Sequence, residues 1–166
     1  MADRPALASS IERLRDAGGR ILELRHRVEA GAPWPLAERF GHEPEASWGP
    51  PEVLAHLAEM LPFWLGEMER IMAAPIHPAP FGRVATDAIR TDTIGRDRSL
   101  PPRELFSRIA SDLARYDVRL PELDAADVAK VGMHPRLGPM TVADVLERLV
   151  VNHLEEHAAQ LHEALD

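Results

Sequence analysis

The chain has 166 residues, 45% of them apolar and 28% charged, which is the balance of one globular domain spanning 1–166 and excludes wholesale disorder. It has no cysteine, so disulfide scaffolds, zinc ribbons and cysteine nucleophiles are excluded, and 27 acids against 19 bases give a net charge of −8, which argues against a nucleic-acid partner. The first ten residues lack the apolar core of a secretory signal, and no stretch approaches the ~20 apolar residues of a membrane span, so a soluble, cytoplasmic chain with no membrane partner is expected.

Leu7, Ile11, Leu14, Ile21 and Val28 recur at steps of three, four and seven and predict a first helix over 6–30. Gly18 and Gly19 lie inside it and read as tolerated glycines, with close approach of another helix as the alternative. Prolines and glycines crowd residues 31–50, which read as a loop. A second helix is predicted over 51–74, with Val53, Leu57, Met60, Trp64, Met68 and Ile71 on its apolar face. Pro50 or Pro51 suits its first turn, and a kink is expected at Pro62. Residues 75–100 form a long connection, with a short helix near 83–91. Leu105, Phe106, Ile109, Leu113 and Tyr116 predict a third helix from about Pro102, ended by Pro121. After a loop over 121–140, Thr141 to Asp144 is a capping-box variant that opens a fourth helix running to about Leu165. No strand-like alternation of useful length occurs. Four long amphipathic helices predict an all-α four-helix bundle.

Most of the eight histidines need no chemical explanation. His42 and His77 neighbour Pro and Gly and read as solvated loop residues, and His26 lies outside the stripe of the first helix. His153 and His157 differ. Four residues apart, they are about 40° apart around a helix and ~6 Å along it, so both rings can meet one ion. They also interrupt an apolar stripe of Val142, Leu146, Leu149 and Val150 that resumes at Leu161 and Ala164. Buried imidazoles need partners, which a metal and a hydrogen-bond acceptor can supply. His162 faces away from His153 and is excluded. His56, bordering the apolar face of the second helix, is the candidate third donor. Three histidines with an open position match catalytic zinc sites; satisfied core histidines remain the alternative. The run from His153 to His157 also fits the H-x-x-E-H pattern of inverted zinc proteases, but only nine residues follow His157, too few for the further downstream ligand. A di-iron site needs two Glu-x-x-His motifs, and only Glu23 with His26 provides one.

The segments Trp48-Gly-Pro-Pro-Glu-Val-Leu-Ala-His56-Leu and His134-Pro-Arg-Leu-Gly138-Pro-Met-Thr141-Val, followed by His153-x-x-x-His157-x-x-Gln160, resemble the DinB-like superfamily of four-helix metalloenzymes. The resemblance spans Ile11 to Leu165. Relatives of this family include thiol-dependent S-transferases and mycothiol-dependent maleylpyruvate isomerase. It implies a bundle with a long crossover connection, a homodimer, and metal ligation by His56, His153 and His157. Many relatives carry Asp directly after the first histidine of the last helix, where this chain has Leu154. A hydrogen-bond acceptor for the ligands must then come from elsewhere, with Glu156 and Gln160 as candidates. His134 reads as structural, capping or packing the loop before the last helix.

These residues suggest an enzyme holding a divalent cation, zinc or nickel foremost, which activates a water or a thiol. Because the chain has no cysteine, a thiol would arrive as a low-molecular-weight cosubstrate, and a thiol transferase acting on a small-molecule substrate is the expected activity. Metal-dependent hydrolysis is the alternative, with a non-enzymatic dimeric binding module carrying a structural or vestigial metal as a second. Glu156, or else Glu59, is the candidate general base. Arg83, Arg90, Arg96 and Arg98 in the long connection are candidates to meet an anionic substrate or, equally, plain solubility residues.

Overall fold

The computed structural model describes residues 4–38 and 45–166; His42 lies outside the described residues. The helices are α1 (Arg4–Glu23), α2 (Arg25–Gly31), α3 (Pro50–Ala73), α4 (Ala88–Asp97), α5 (Pro102–Arg119), α6 (Ala125–Val128), α7 (Val142–Asp144) and α8 (Asn152–Leu165). A π-helical stretch, Val145–Val151, joins α7 to α8 and makes them one rod. That rod, α1, α3 and α5 are the four members of a bundle. The connection from α3 to α5 is the long crossover and carries α4.

Apolar periodicity dictates the packing. Leu14 and Ile21 of α1, Leu57, Met60 and Ile71 of α3, Phe106, Ile109 and Tyr116 of α5, and Val150 and Leu161 of the last rod are all fully buried in one core. The first helix is broken at Leu24 into α1 and α2, where one helix over 6–30 is predicted. Gly18 is a contact point rather than a tolerated defect: a Cβ there would lie 2.8 Å from Leu113 Cδ1 of α5, whereas Gly19 has nothing within 4 Å. Helix α3 starts with Pro50 and Pro51 in its first turn and runs uninterrupted through Pro62. Glu52 caps it: its Oε1 accepts from the backbone N–H groups of Gly49 and Ala37, each at 3.2 Å. The last rod opens on Thr141, whose hydroxyl accepts from Asp144 N at 3.0 Å while the Asp144 carboxylate accepts from Thr141 N at 3.0 Å.

Two further features depart from the sequence reading, besides α4 lying at Ala88–Asp97 rather than near 83–91. A small sheet of β1 (Ala79–Pro80), β2 (Val131–His134) and β3 (Gly138–Thr141) lies where only loops are predicted. Strands β1 and β2 are parallel, and β2 and β3 form an antiparallel hairpin with His134 opposite Gly138. At two to four residues, these strands are too short to show alternation. The second departure is the π-helical stretch, whose hydrogen bonds close one residue further along than in an α-helix. Adjacent Val150 and Val151 are both fully buried there, and the core face beyond runs through Leu154, His157, Ala158 and Leu161, with Ala164 exposed. His157 is therefore buried, and His153 stands half-buried at the edge. Leu154 is 0% exposed, so a carboxylate at that position would be a buried charge in an apolar core. Among the described residues, no helix is long and apolar enough to cross a membrane.

Candidate metal centre

Helix α3 carries His56, one turn into the rod beyond its proline cap, and α8 carries His153 and His157. The bundle brings the three rings together. His56 Nε2 lies 2.8 Å from His153 Nε2. The ring centroids are 5.0 Å apart for His56 with each of the other two, and 4.6 Å for His153 with His157. A fourth donor comes from a region with no periodic signal. Glu45, in the 3-10 turn Glu45–Ser47, places Oε2 3.1 Å from His153 Nε2 and 3.2 Å from His157 Nε2, and Oε1 3.8 Å from His56 Nε2. The four donor atoms all lie within 4.8 Å of one another.

The surroundings fix how each donor points. Gln160, one turn beyond His157, accepts from His157 Nδ1–H through Oε1 at 2.8 Å, and its Nε2 donates to the carbonyls of Glu45 at 2.7 Å and Trp48 at 3.2 Å. One carboxamide thus sets the His157 tautomer and tethers the segment bearing Glu45. With Nδ1 protonated, His157 Nε2 is a bare lone pair that is buried without a hydrogen-bond partner. Arg90 holds Glu45 from the other side, its Nη2 donating to Oε1 at 2.5 Å and its Nη1 to the Ala85 carbonyl at 2.9 Å. Trp48 packs edge-on to His56, ring centroids 5.5 Å apart.

Electrostatics favour the forms that bind a cation. Burial, reinforced by the charges of its neighbours and opposed by Glu45, drives the His56 pKa well below the ordinary imidazole value, so its ring is neutral. Burial raises the Glu45 pKa, but opposing contacts, that with His153 Nε2 foremost, hold it well below the usual carboxylate range. Neutral imidazoles and an ionised carboxylate are the protonation states of metal ligands. The buried lone pair on His157 Nε2 has no other partner, and three imidazoles with one carboxylate suit a zinc- or nickel-like ion, whose donors sit at about 2.0–2.2 Å in zinc sites. The cluster fits such a group.

The other predicted residues separate into those at the cluster and those away from it. Gln160 is the acceptor beside the ligands, and Glu156, exposed on the far side of α8, is not brought to them. Glu59, one turn beyond His56, forms a buried ion pair with Arg83. Burial raises its pKa against the opposing effect of Arg83, and its Oε2 has no partner. Of the four arginines in the long connection, Arg83 and Arg90 line the cleft beside the histidines. Arg96 instead donates to Asp97 at 2.8 Å, and Arg98 to the Ala37 carbonyl at 3.1 Å. His26 and His162 are exposed. His77 is also exposed but sits 2.9 Å from the Ile71 carbonyl through Nε2. His134 is structural: its Nδ1 accepts from the backbone N–H groups of Arg136 and Leu137, both at 3.1 Å.

No curated protein matches the chain. Among solved structures, it is similar to YfiT from Bacillus subtilis, reported as a probable metal-dependent hydrolase with an unusual four-helix bundle topology. The match has a TM-score of 0.76 at 15% identity and covers 99% of this chain and 88% of that one, so the likeness is one of fold. The model of the DinB superfamily matches residues 6–161, nearly the whole of the described bundle, and the chain belongs to that superfamily.

Proposed function

We propose that the chain is a divalent-metal-dependent enzyme whose metal is held by His56, His153 and His157 with Glu45 as an anionic fourth donor, and that it activates water for hydrolysis of a small substrate. The observation that carries this reading is the convergence of four donor atoms within 4.8 Å, with the His157 Nε2 lone pair buried and otherwise unpartnered, at the edge of a cleft. A divalent cation bound there supplies Lewis acidity and lowers the pKa of a coordinated nucleophile towards neutrality.

The chain's own residues supply the rest. Gln160 keeps the proton of His157 on Nδ1, so that Nε2 faces the cluster. Arg90 holds one oxygen of Glu45 and leaves the other towards His153 and His157. Met60, Trp64 and Leu149 give the cleft apolar walls. The cavity measures about 200 Å³, below the roughly 300–1,000 Å³ of clefts for drug-sized ligands, which favours a small substrate. The description of YfiT as a probable metal-dependent hydrolase supports hydrolysis as well.

Transfer of a low-molecular-weight thiol, as the family resemblance implies, would use the same donors with a different nucleophile. One assay separates the readings. The chain is loaded with zinc or nickel and offered a panel of small esters, amides and electrophiles, with and without bacillithiol, mycothiol or glutathione. Metal-dependent turnover without a thiol is the expected result. Turnover only with a thiol replaces hydrolysis by transfer, and no turnover from a metal-loaded chain leaves a structural metal.

A further inference from the structure

Three guanidinium groups line the cleft beside the histidine cluster, in a chain whose net charge is −8. Two of them are neutralised: Arg90 by Glu45, and Arg83 by Glu59. Arg136, on the turn of the β2–β3 hairpin, has no carboxylate partner among the described residues. Of the three, Arg136 alone leaves its charge uncompensated among the described residues; it is an exposed residue at the mouth of the cleft that it lines.

Arg136 is also set in place. The buried His134 ring accepts from the backbone N–H groups of Arg136 and Leu137. On the other side the ring presses on the segment leading to Arg83. Gly82 there has φ 81°, and a Cβ on it would lie 2.4 Å from His134 Cδ2. One ring thus fixes the backbones of two arginines that reach the same cleft from separate loops. Arg83 is further fixed by stacking on Phe63, with its Cζ 3.6 Å from the ring centroid.

From this arrangement we infer that the cleft recognises a small carboxylate-bearing substrate, with Arg136 as its anion anchor and the Glu59-paired Arg83 as the flanking cation. A single free guanidinium presents a planar fork that matches one carboxylate bidentately. A phosphate monoester would bring close to two charges to one unpaired cation. Size agrees: a cavity of about 200 Å³ suits a small acid rather than a drug-sized ligand. That the anion is part of the substrate rests on the metal-centre reading; the anion site itself rests only on the arginines and His134.

Calorimetric titration tests the inference. The whole chain, both freed of metal with a chelator and loaded with zinc, is titrated with propionate, succinate, the neutral diamide succinamide, and methylphosphonate. The wild type and the variants Arg136→Gln and Arg136→Lys are compared. The expected result is binding of a carboxylate at millimolar concentrations or better, no binding of succinamide, and weaker binding of methylphosphonate. Arg136→Gln weakens carboxylate binding about tenfold or more, and Arg136→Lys restores part of it. Three results each overturn the inference: no carboxylate binds, the amide or the phosphonate binds as well as the carboxylates, or Arg136→Gln binds them as the wild type does. Carboxylate binding lost in Arg136→Gln by a chain that holds no metal would sustain the anion site and remove the metal reading. Metal retention without carboxylate binding would do the reverse.

Discussion

The two sides of the cleft are built on different physics. On one side, His56, His153 and His157 project from long rods whose apolar stripes anchor them in the core, so donor positions follow from helical periodicity and packing. On the other, Arg83, Arg136 and the carboxylate of Glu45 come from short loops and turns, and Arg90 from the first turn of α4, held by individual polar contacts: Gln160 to the Glu45 carbonyl, His134 to the hairpin turn, Arg90 to Ala85. Changes to the buried apolar side chains of the rods should therefore cost stability, while changes on the turn side should spare the fold and alter recognition.

The sharpest break of that contrast is at Leu154. It is fully buried between the two α8 histidines, and Leu154→Asp introduces an unpaired charge into the core. The expected loss is about 3–5 kcal/mol in urea unfolding, whereas Arg136→Gln should stay within about 0.5 kcal/mol of wild type. Equal losses in the two variants would erase the distinction. Next in size, Gln160→Ala removes the acceptor of His157 Nδ1–H and should weaken metal affinity about 10–100-fold, read by competition with a chelator. An unchanged affinity would show that the carboxamide does not orient the ring. At the start of the rod, Thr141→Ala removes the hydroxyl that caps the Asp144 N–H and should cost about 1 kcal/mol, with metal binding retained.

The smallest expected effect is a dependence on pH. Burial, opposed by a bond to the Arg83 backbone and reinforced by the charges of Arg136 and Arg148, holds the His134 pKa below its ordinary 6.5. A depressed histidine pKa means that the unfolded chain binds the proton more readily. The stability contributed by neutral His134 is therefore complete above about pH 6.5 and is lost as pH falls through its lower folded value. His56 acts with the same sign, so the comparison is with His134→Asn, whose carboxamide oxygen can still accept from the turn. Thermal midpoints followed in chelator should fall less steeply towards acid in the variant than in wild type. Parallel curves would mean that His134 does not contribute.

What the sequence revealed divides along the same line. The rods were legible because Val53, Leu57, Met60, Met68 and Ile71, or Leu105, Ile109 and Tyr116, repeat with the helical period; spacing made His56 only a candidate partner of His153 and His157, and it was the family resemblance that implied the three together. Glu45 was not, because a lone acid in a stretch rich in proline and glycine carries no periodic signal; its only trace is its place just before Trp48-Gly-Pro-Pro. Arg136 was hidden by the same lack of pattern. Strand β1 has two residues and β2 and β3 four each, with Pro80 and Pro139 among them, too short and irregular to announce a sheet. Glu156 was chosen for its nearness along the chain to His153 and His157, but helical rotation carries it to the solvent side. Leu154 and Ala164 show the limit of the stripe: Leu154, left out of it, is core, whereas Ala164, included in it, lies in the last turn of α8 and is exposed.

The central claim is that three imidazoles from two rods, joined by Glu45, bind one metal ion. It is tested most directly by the metal content of the purified chain after loading with zinc or nickel and removal of excess, beside His153→Ala prepared identically and checked for an unchanged helical spectrum. The account predicts a single tightly held ion in the wild type and none in the folded variant. A wild-type chain that retains no ion, or a folded His153→Ala chain that retains it fully, would contradict it.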